Sequence, residues 1–209
     1  MRSNLSPLEV VALIGHHLRP ILGWRTAPFL AAWAVRLPSY RERFSRLDDD
    51  PALAECKRTF LPLAALHHEL VRRVGEERAR FLSEAVALDV ATRLQRRLYL
   101  GPLAKRTWDA FHREHDRQME SGFLRHNKHS LPLVTESRVE FQITRCAFYE
   151  AMCAIEIGPL TEAFCRSDEL VFNEYLPEMR FHRDERASNT IARGATACGF
   201  IFERSPTKS

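Results

Sequence analysis

Four of the five cysteines lie in the last third of the chain, and one of them, Cys146, has the setting of a nucleophile. It follows a segment with strand periodicity and precedes a short helical segment, and Arg145 is its neighbour. A helix N-terminus and an adjacent cation both lower the pKa of a thiol, and a thiolate attacks electrophilic carbon. The pattern predicts Cys146 as a candidate nucleophile, with a purely structural thiol as the equal alternative.

Two further thiols and a carboxylate have a spacing that could bring them to one place. Cys165 and Asp168 share one face of a predicted helix at i and i+3, and Cys198 falls on a predicted strand. Three elements thus each contribute one thiol beside polar groups, although only the tertiary structure decides which thiols meet. Cys56 and Cys153 are interpreted as small buried hydrophobic residues.

A pair of histidines could supply a base. His112, His115 and Asp116 stand at i, i+3 and i+4 on a helix predicted over residues 103–122, in line with Trp108. One interpretation is a base or ligand pair, and the other is hydrogen-bonded core residues. Zinc requires three or four ligands, and no further ligand in this segment has a completing spacing, so we expect no bound metal.

The elements that must position these residues are predicted to be helical up to about residue 123. The sequence Ser6-Pro7-Leu8-Glu9 is a capping box, and Asp50-Pro51 has the pattern of a second helix start. Pro62 predicts a kink or a break in the helix that follows, and Gly75 ends it. The next helix, predicted over residues 76–98, is expected to face inward with Phe81, Leu82, Val86, Val90, Leu94 and Leu98.

From about residue 138 the hydrophobic period changes to two. The alternation predicts strands over residues 139–144, 179–183 and 197–203, with two helices between the first and the second. The order strand, helix, helix, strand, strand is typical of a small α+β unit. We therefore predict an α+β fold, in which a helical N-terminal region (1–135) packs on a C-terminal α+β unit (136–209) with a three-stranded, mainly antiparallel sheet.

Composition narrows the range of partners. The 209 residues include 31 Lys and Arg against 27 Asp and Glu, a formal net charge of +4, which is too small to predict a nucleic-acid surface. No run of 18 apolar residues is present to span a membrane. Five cysteines without tight pairing favour reduced thiols. We expect a cytoplasmic protein that binds a small-molecule substrate without a cofactor, and a homodimer is left open.

Three blocks of the last third resemble, in order, the L-2-amino-thiazoline-4-carboxylic acid hydrolase family. Ile143–Glu150 (ITRCAFYE) is similar to the family's TRC-x-Y/F opening, and Phe164–Asp168 to its C-x-x-D helix. Thr190–Phe200 resembles its T-[IL]-x-x-G-x-x-x-C-D-F ending. The resemblance covers about residues 138–203, whereas residues 1–135 carry no matching motif and are consistent with the helical N-terminal region of such proteins.

The resemblance implies hydrolytic opening of the cyclic isothiourea in 2-amino-thiazoline-4-carboxylate, giving N-carbamoyl-L-cysteine on the way to cysteine. Such a site needs a nucleophile at C2, a carboxylate facing the amidine, and a cation for the substrate carboxylate. These roles would belong to Cys146, to Asp168, and to Arg145 or Arg186. The residues implied are catalytic Cys146, Cys165, Asp168 and Cys198, and substrate-binding Arg145, Arg186, Thr190, His112 and His115.

Departures from the family pattern leave the substrate open. Gly199 stands where the family has Asp, and Ala187 lies near the position of a family Arg. Either change could alter the substrate and place the protein in specialised metabolism. The layout also resembles the 4-vinyl-reductase type of small-molecule-binding domain, in which three thiols and Asp168 could hold a metal, although a C-x-x-C spacing is lacking. A structural or interaction protein built on the helices is a third alternative.

Overall fold

A computed structural model describes residues 5–45, 50–101, 105–183 and 190–205. The chain divides into two compact units, which we call the helical unit (residues 1–94 and 148–164) and the sheet unit (residues 95–147 and 165–209). In chain order the helices are α1 Pro7–Leu22, α2 Thr26–Ser45, α3 Pro51–Val74, α4 Glu76–Tyr99, α5 Trp108–Glu120, α6 Ala147–Ala154 and α7 Thr161–Phe172. The strands are β1 Lys128–His129, β2 Leu133–Val134, β3 Arg138–Arg145, β4 Met179–His182 and β5 Cys198–Arg204.

The predicted helix starts are confirmed. At α1 the Ser6 hydroxyl accepts a hydrogen bond from the Glu9 amide at 3.3 Å, and the Glu9 carboxylate accepts one from the Ser6 amide at 2.7 Å. These two bonds satisfy amides that have no partner within the helix. At α3 the Asp50 carboxylate accepts from the Ala52 amide at 2.9 Å. The helix then runs without a break through Pro62 to Val74, so a break at Pro62 is not observed.

The helical unit holds a fully buried carboxylate. Glu69 on α3 accepts hydrogen bonds from Arg36, Arg72 and Arg73 at 2.8–3.0 Å and from the Tyr40 hydroxyl at 3.1 Å. A buried carboxylate requires such partners because it has lost its hydration. The interaction ties α2 to α3. None of the described helices is long and apolar enough to span a membrane.

The sheet is antiparallel, and its strand order is β1–β3–β5–β4, with β2 also pairing with β3. The three predicted strands are present as β3, β4 and β5, which confirms the α+β class. The sheet nevertheless has five strands rather than three. The two strands that were not predicted, β1 and β2, each contain only two residues. A two-residue segment is too short to show the alternation on which the prediction relied.

One face of this sheet builds the aromatic core of the sheet unit. Phe141 on β3 lies opposite Phe200 on β5, with ring centroids 5.1 Å apart, and Phe181 on β4 lies opposite Phe202. Phe111 from α5 packs on Phe202 at 4.8 Å. The remaining buried members include Tyr99, Trp108, Val139, Ile143, Phe172, Tyr175, Met179 and Cys198. Among the predicted inward positions of α4, Leu82 and Val86 are buried, but Phe81 is 68% exposed, so that prediction is wrong.

Candidate active site

The junction between β3 and α6 holds Cys146. β3 ends at Arg145 and α6 begins at Ala147, so Cys146 directly precedes the first helical residue, as the sequence predicted. The buried Asn127 side chain accepts a hydrogen bond from the Ala147 amide at 2.9 Å and thereby supplies a partner for an amide at the helix start. The thiol-bearing residue is half-buried and packs against the aromatic core.

Cys198 occupies the first position of β5, opposite Ile143 of β3. Its Sγ accepts a hydrogen bond from the Ile191 amide at 3.1 Å. Burial raises the pKa of Cys198 above its ordinary value, and this effect exceeds the opposing influence of the Ile191 amide and of the Arg183 guanidinium. Cys198 is therefore a protonated thiol at neutral pH.

Cys165 and Asp168 lie one turn apart on α7. Burial raises the pKa of Cys165 to about 12; the Arg183 cation opposes the shift, while Asp168, Cys146 and Cys198 add to it. Electrostatic effects of this kind fall off with distance. Contacts around Arg183 locate Cys165 more closely, because the guanidinium lies 3.4 Å from the Cys165 carbonyl and 3.5 Å from the carbonyl of Gly199, the residue after Cys198.

A buried ion pair anchors this group. Arg183 directly follows β4 and is 2% exposed. Its Nη2 donates to the Asp168 carboxylate at 2.5 Å and to the Cys165 carbonyl at 3.4 Å. Gln95 Nε2 donates to the other carboxylate oxygen of Asp168 at 2.5 Å. Burial raises the pKa of Asp168, against the opposing influence of Arg183 and Gln95.

Of the four residues predicted to be catalytic, Cys165 and Asp168 contact Arg183, which also approaches the residue after Cys198. The fourth, Cys146, packs against the aromatic core to which Cys198 belongs. The sequence argument did not assign Arg183 to the site. A signal for it was present, since Arg183 continues the inward-facing alternation of Met179 and Phe181, and a buried cation needs a partner of opposite charge. Gln95 and Asn127 were also missed, and nothing in their sequence positions distinguishes them from surface amides.

The predicted substrate-binding residues have different placements. Thr190 is buried and directly precedes Ile191, whose amide contacts Cys198. Arg145 is half-buried at the end of β3, opposite Lys128 of β1. Arg186 lies outside the described residues.

The two predicted histidines belong to the aromatic core. His115 is 4% exposed, its ring stacks on Phe111 at 5.7 Å, and its Nδ1 lies 3.4 Å from the Tyr99 hydroxyl. Burial lowers the pKa of His115 to about 4. His112 lies against Trp108 with centroids 4.5 Å apart, and burial also lowers its pKa. Both rings thus pack against core aromatic residues, but within the described part of the chain Nε2 of each histidine is buried without a hydrogen-bond partner, so a fully hydrogen-bonded pair is not observed.

Geometry offers no support for a zinc site made of the thiols. In the ranges that the structure describes, which include all five cysteines, no group of three or more His, Cys, Asp or Glu side chains is arranged to hold a metal ion. A cavity of about 710 Å³ in the helical unit has no thiol and no acid–base side chain in its wall. Its wall consists of Ile21, Leu22, Trp24, Arg25, Pro28, Phe29, Arg73, Val74 and Arg78.

Comparison with protein families places this constellation in context. The family model described as L-2-amino-thiazoline-4-carboxylic acid hydrolase matches residues 54–202, a range that includes Cys146, Cys165, Asp168, Arg183 and Cys198. The chain belongs to the L-2-amino-thiazoline-4-carboxylic acid hydrolase family. The match begins within α3, so the family relationship extends well beyond the three sequence blocks, into the helical unit. Comparison with curated proteins and with solved structures gives no match.

Proposed function

We propose that this member of the L-2-amino-thiazoline-4-carboxylic acid hydrolase family opens a cyclic isothiourea, or a similar C–N/C–S bond, in a small amino-acid-like substrate, with Cys146 as the nucleophile. The observation that carries the proposal is the position of Cys146, a half-buried thiol directly before the first residue of α6, in the same unit as the Asp168–Arg183 ion pair. A nucleophile and a carboxylate are the two groups that attack on an amidine-like carbon requires.

The choice of Cys146 among the three thiols rests on their surroundings. Burial raises the pKa of both Cys165 and Cys198, so each retains its proton at neutral pH and is a poor nucleophile. Cys146 precedes α6, where the helix dipole and the first-turn amides favour negative charge. The adjacent Arg145 contributes a further cation.

The reaction can be written with balanced atoms for 2-amino-thiazoline-4-carboxylate. The Cys146 thiolate attacks C2, and the C2–S bond of the ring breaks, so that the ring sulfur leaves as the new substrate thiol and C2 becomes an enzyme-bound isothiourea. Water then attacks C2, the bond to the Cys146 sulfur breaks, and the carbamoyl group of N-carbamoyl-L-cysteine is released. One water is consumed, and the enzyme thiolate is regenerated.

Asp168 is proposed to face the positively charged amidine or to accept its proton. Its carboxylate already accepts from Arg183 and Gln95, which fix its orientation. Arg145 or Arg186 is proposed to contact the substrate carboxylate.

The substrate class would place the protein in amino-acid or specialised metabolism. We infer a location in the cytoplasm, which fits the five described cysteines, all of them free thiols.

Thiol release from 2-amino-thiazoline-4-carboxylate tests the proposal. The purified chain is incubated with this compound, and new thiol is followed with a colorimetric reagent, in parallel for the wild type, Cys146→Ser and Cys153→Ser. Cys153 is the matched control because it is an exposed thiol on α6, so its interpretation as a buried residue is wrong. We expect release by the wild type and by Cys153→Ser, and none by Cys146→Ser. Release by a folded Cys146→Ser variant would exclude Cys146 as the nucleophile.

A further inference from the structure

Among the described residues, two buried hydrogen-bond donors near the start of β5 have no acceptor. They are Nε of Arg183 and the hydroxyl of Thr190, on residues that are 2% and 4% exposed. Within the described part of the chain neither atom has a hydrogen-bond partner. Buried polar groups are almost always paired, so an unpaired donor indicates a missing acceptor at that place.

The contacts of Arg183 and of the residue after Thr190 both lead to the same segment, the start of β5. The residue after Thr190, Ile191, donates its amide to Cys198 Sγ at 3.1 Å. Arg183 Nη1 lies 3.5 Å from the carbonyl of Gly199, the next residue of β5. Arg183 and Thr190 therefore both lie near the start of β5.

The other nitrogens of the Arg183 guanidinium already have partners, and its face lies on an aromatic ring. Arg183 Nη2 donates to Asp168 and to the Cys165 carbonyl, and the guanidinium carbon lies 4.3 Å from the centroid of the Phe200 ring. These contacts hold the guanidinium rigid, and Nε is its nitrogen that has no partner in the described ranges. A rigid, desolvated guanidinium is a strong partner for a carboxylate.

A buried acceptor without a donor among the described residues lies near Asp168, the carboxylate that binds Arg183. Gln95 Nε2 donates to Asp168, and this bond fixes the orientation of the amide because a carboxylate oxygen can only accept from nitrogen. Gln95 Oε1 is then left buried and, in the described ranges, without a donor. Two donors near Cys198 and one acceptor near Asp168 match a ligand that carries a carboxylate at one end and an N–H group at the other.

We propose that Arg183 Nε and the Thr190 hydroxyl bind the substrate carboxylate, while Gln95 Oε1 accepts an N–H from its amidine end. The proposal rests on the proposed function for the substrate, but it assigns the carboxylate to Arg183 and Thr190 rather than to Arg145 or Arg186. It also explains why these polar atoms are buried without partners.

Calorimetric titration with thiazolidine-4-carboxylate tests this subsite independently of turnover, because that compound keeps the ring and the carboxylate but has no isothiourea to open. Thiazolidine, which lacks the carboxylate, is the comparison ligand. The variants are Thr190→Val, which removes the hydroxyl at nearly constant volume, Thr190→Ser, which retains it, and Thr196→Val, the same change at an exposed threonine of the same segment.

We expect Thr190→Val to weaken binding of thiazolidine-4-carboxylate about tenfold or more, as for loss of a hydrogen bond to a charged group. Thr190→Ser and Thr196→Val should bind like the wild type, and all four proteins should bind thiazolidine equally weakly. Equal affinity of Thr190→Val and wild type for the carboxylate would overturn the proposal. So would failure of the wild type to prefer the carboxylate.

The proposed function and the subsite can fail separately. Carboxylate-selective binding that depends on Thr190, without any thiol release from the thiazoline, would exclude the proposed reaction and retain the subsite. Thiol release with an unchanged KM in Thr190→Val would retain the reaction and exclude the subsite.

Discussion

The Asp168–Arg183 pair makes the sharpest stability prediction. The two side chains are 17% and 1% exposed and join at 2.5 Å. Asp168→Asn removes the negative charge and leaves the guanidinium buried without a counter-charge. Breaking a buried ion pair on one side costs about 3–5 kcal/mol. Because the Asn oxygen can still accept a hydrogen bond from Arg183, we expect the lower part of that range.

The thermal midpoint is the first measurement. In a chain of this size each kcal/mol shifts the midpoint by about 2–4 °C, so Asp168→Asn should melt roughly 6–12 °C below the wild type. Glu169→Gln is the matched control, because Glu169 is the next residue on α7 and is exposed; it should melt like the wild type. Turnover of Asp168→Asn, measured well below its lowered midpoint, should be lost while its circular dichroism is unchanged.

A double variant separates loss of the pair from loss of packing. Adding Arg183→Met to Asp168→Asn removes the stranded cation, so the double variant should be more stable than the sum of the two single changes predicts. Strict additivity, or an Asp168→Asn midpoint within a degree of the wild type, would refute the interpretation of a buried, mutually dependent pair.

Three further predictions concern the surroundings of the site. At pH 7 iodoacetamide should alkylate Cys146 faster than free cysteine, whose pKa is about 8.5; mass-spectrometric labelling at the rate of free cysteine would contradict a stabilised thiolate. Since burial lowers the pKa of His115 to about 4, the unfolded chain takes up a proton between about pH 6.5 and pH 4 that the folded chain does not, so stability should fall by about 3 kcal/mol as the pH falls through this window. Urea unfolding at pH 7 and pH 4.5 should show a smaller pH dependence for His115→Phe than for wild type or for a variant of the exposed His16; an equal dependence would rule out His115 as its source. Asn127→Leu removes the acceptor for the Ala147 amide, so it should lower the free energy of unfolding by about 1–3 kcal/mol and slow the alkylation of Cys146. Asn127→Asp keeps an acceptor and should have the stability and the alkylation rate of the wild type. A normal alkylation rate in Asn127→Leu would show that this bond does not position the thiol.

Local signals in the sequence were sufficient for much of the fold. The capping box at Ser6, the Asp50 N-cap and the stop at Gly75 depend on contacts within a few residues, so sequence spacing alone predicts them. The alternation in β3 likewise depends on one buried face. The same reasoning failed for Phe81, because its exposure depends on which neighbours cover α4, and for β1 and β2, because their pairing with β3 is long-range.

The candidate site divides in the same way. The residue types and spacing of Cys146, Cys165, Asp168 and Cys198 could be recognised in the sequence, since each occupies a local position on a strand or helix. The positions of these residues relative to one another, the burial that keeps Cys165 and Cys198 protonated, and the ion pair of Arg183 with Asp168 were decided by the tertiary structure alone. The physical reason is that burial and charge pairing arise between separate elements, here α7, the end of α4 and the residue after β4, whereas periodicity and capping act only between neighbours in the chain.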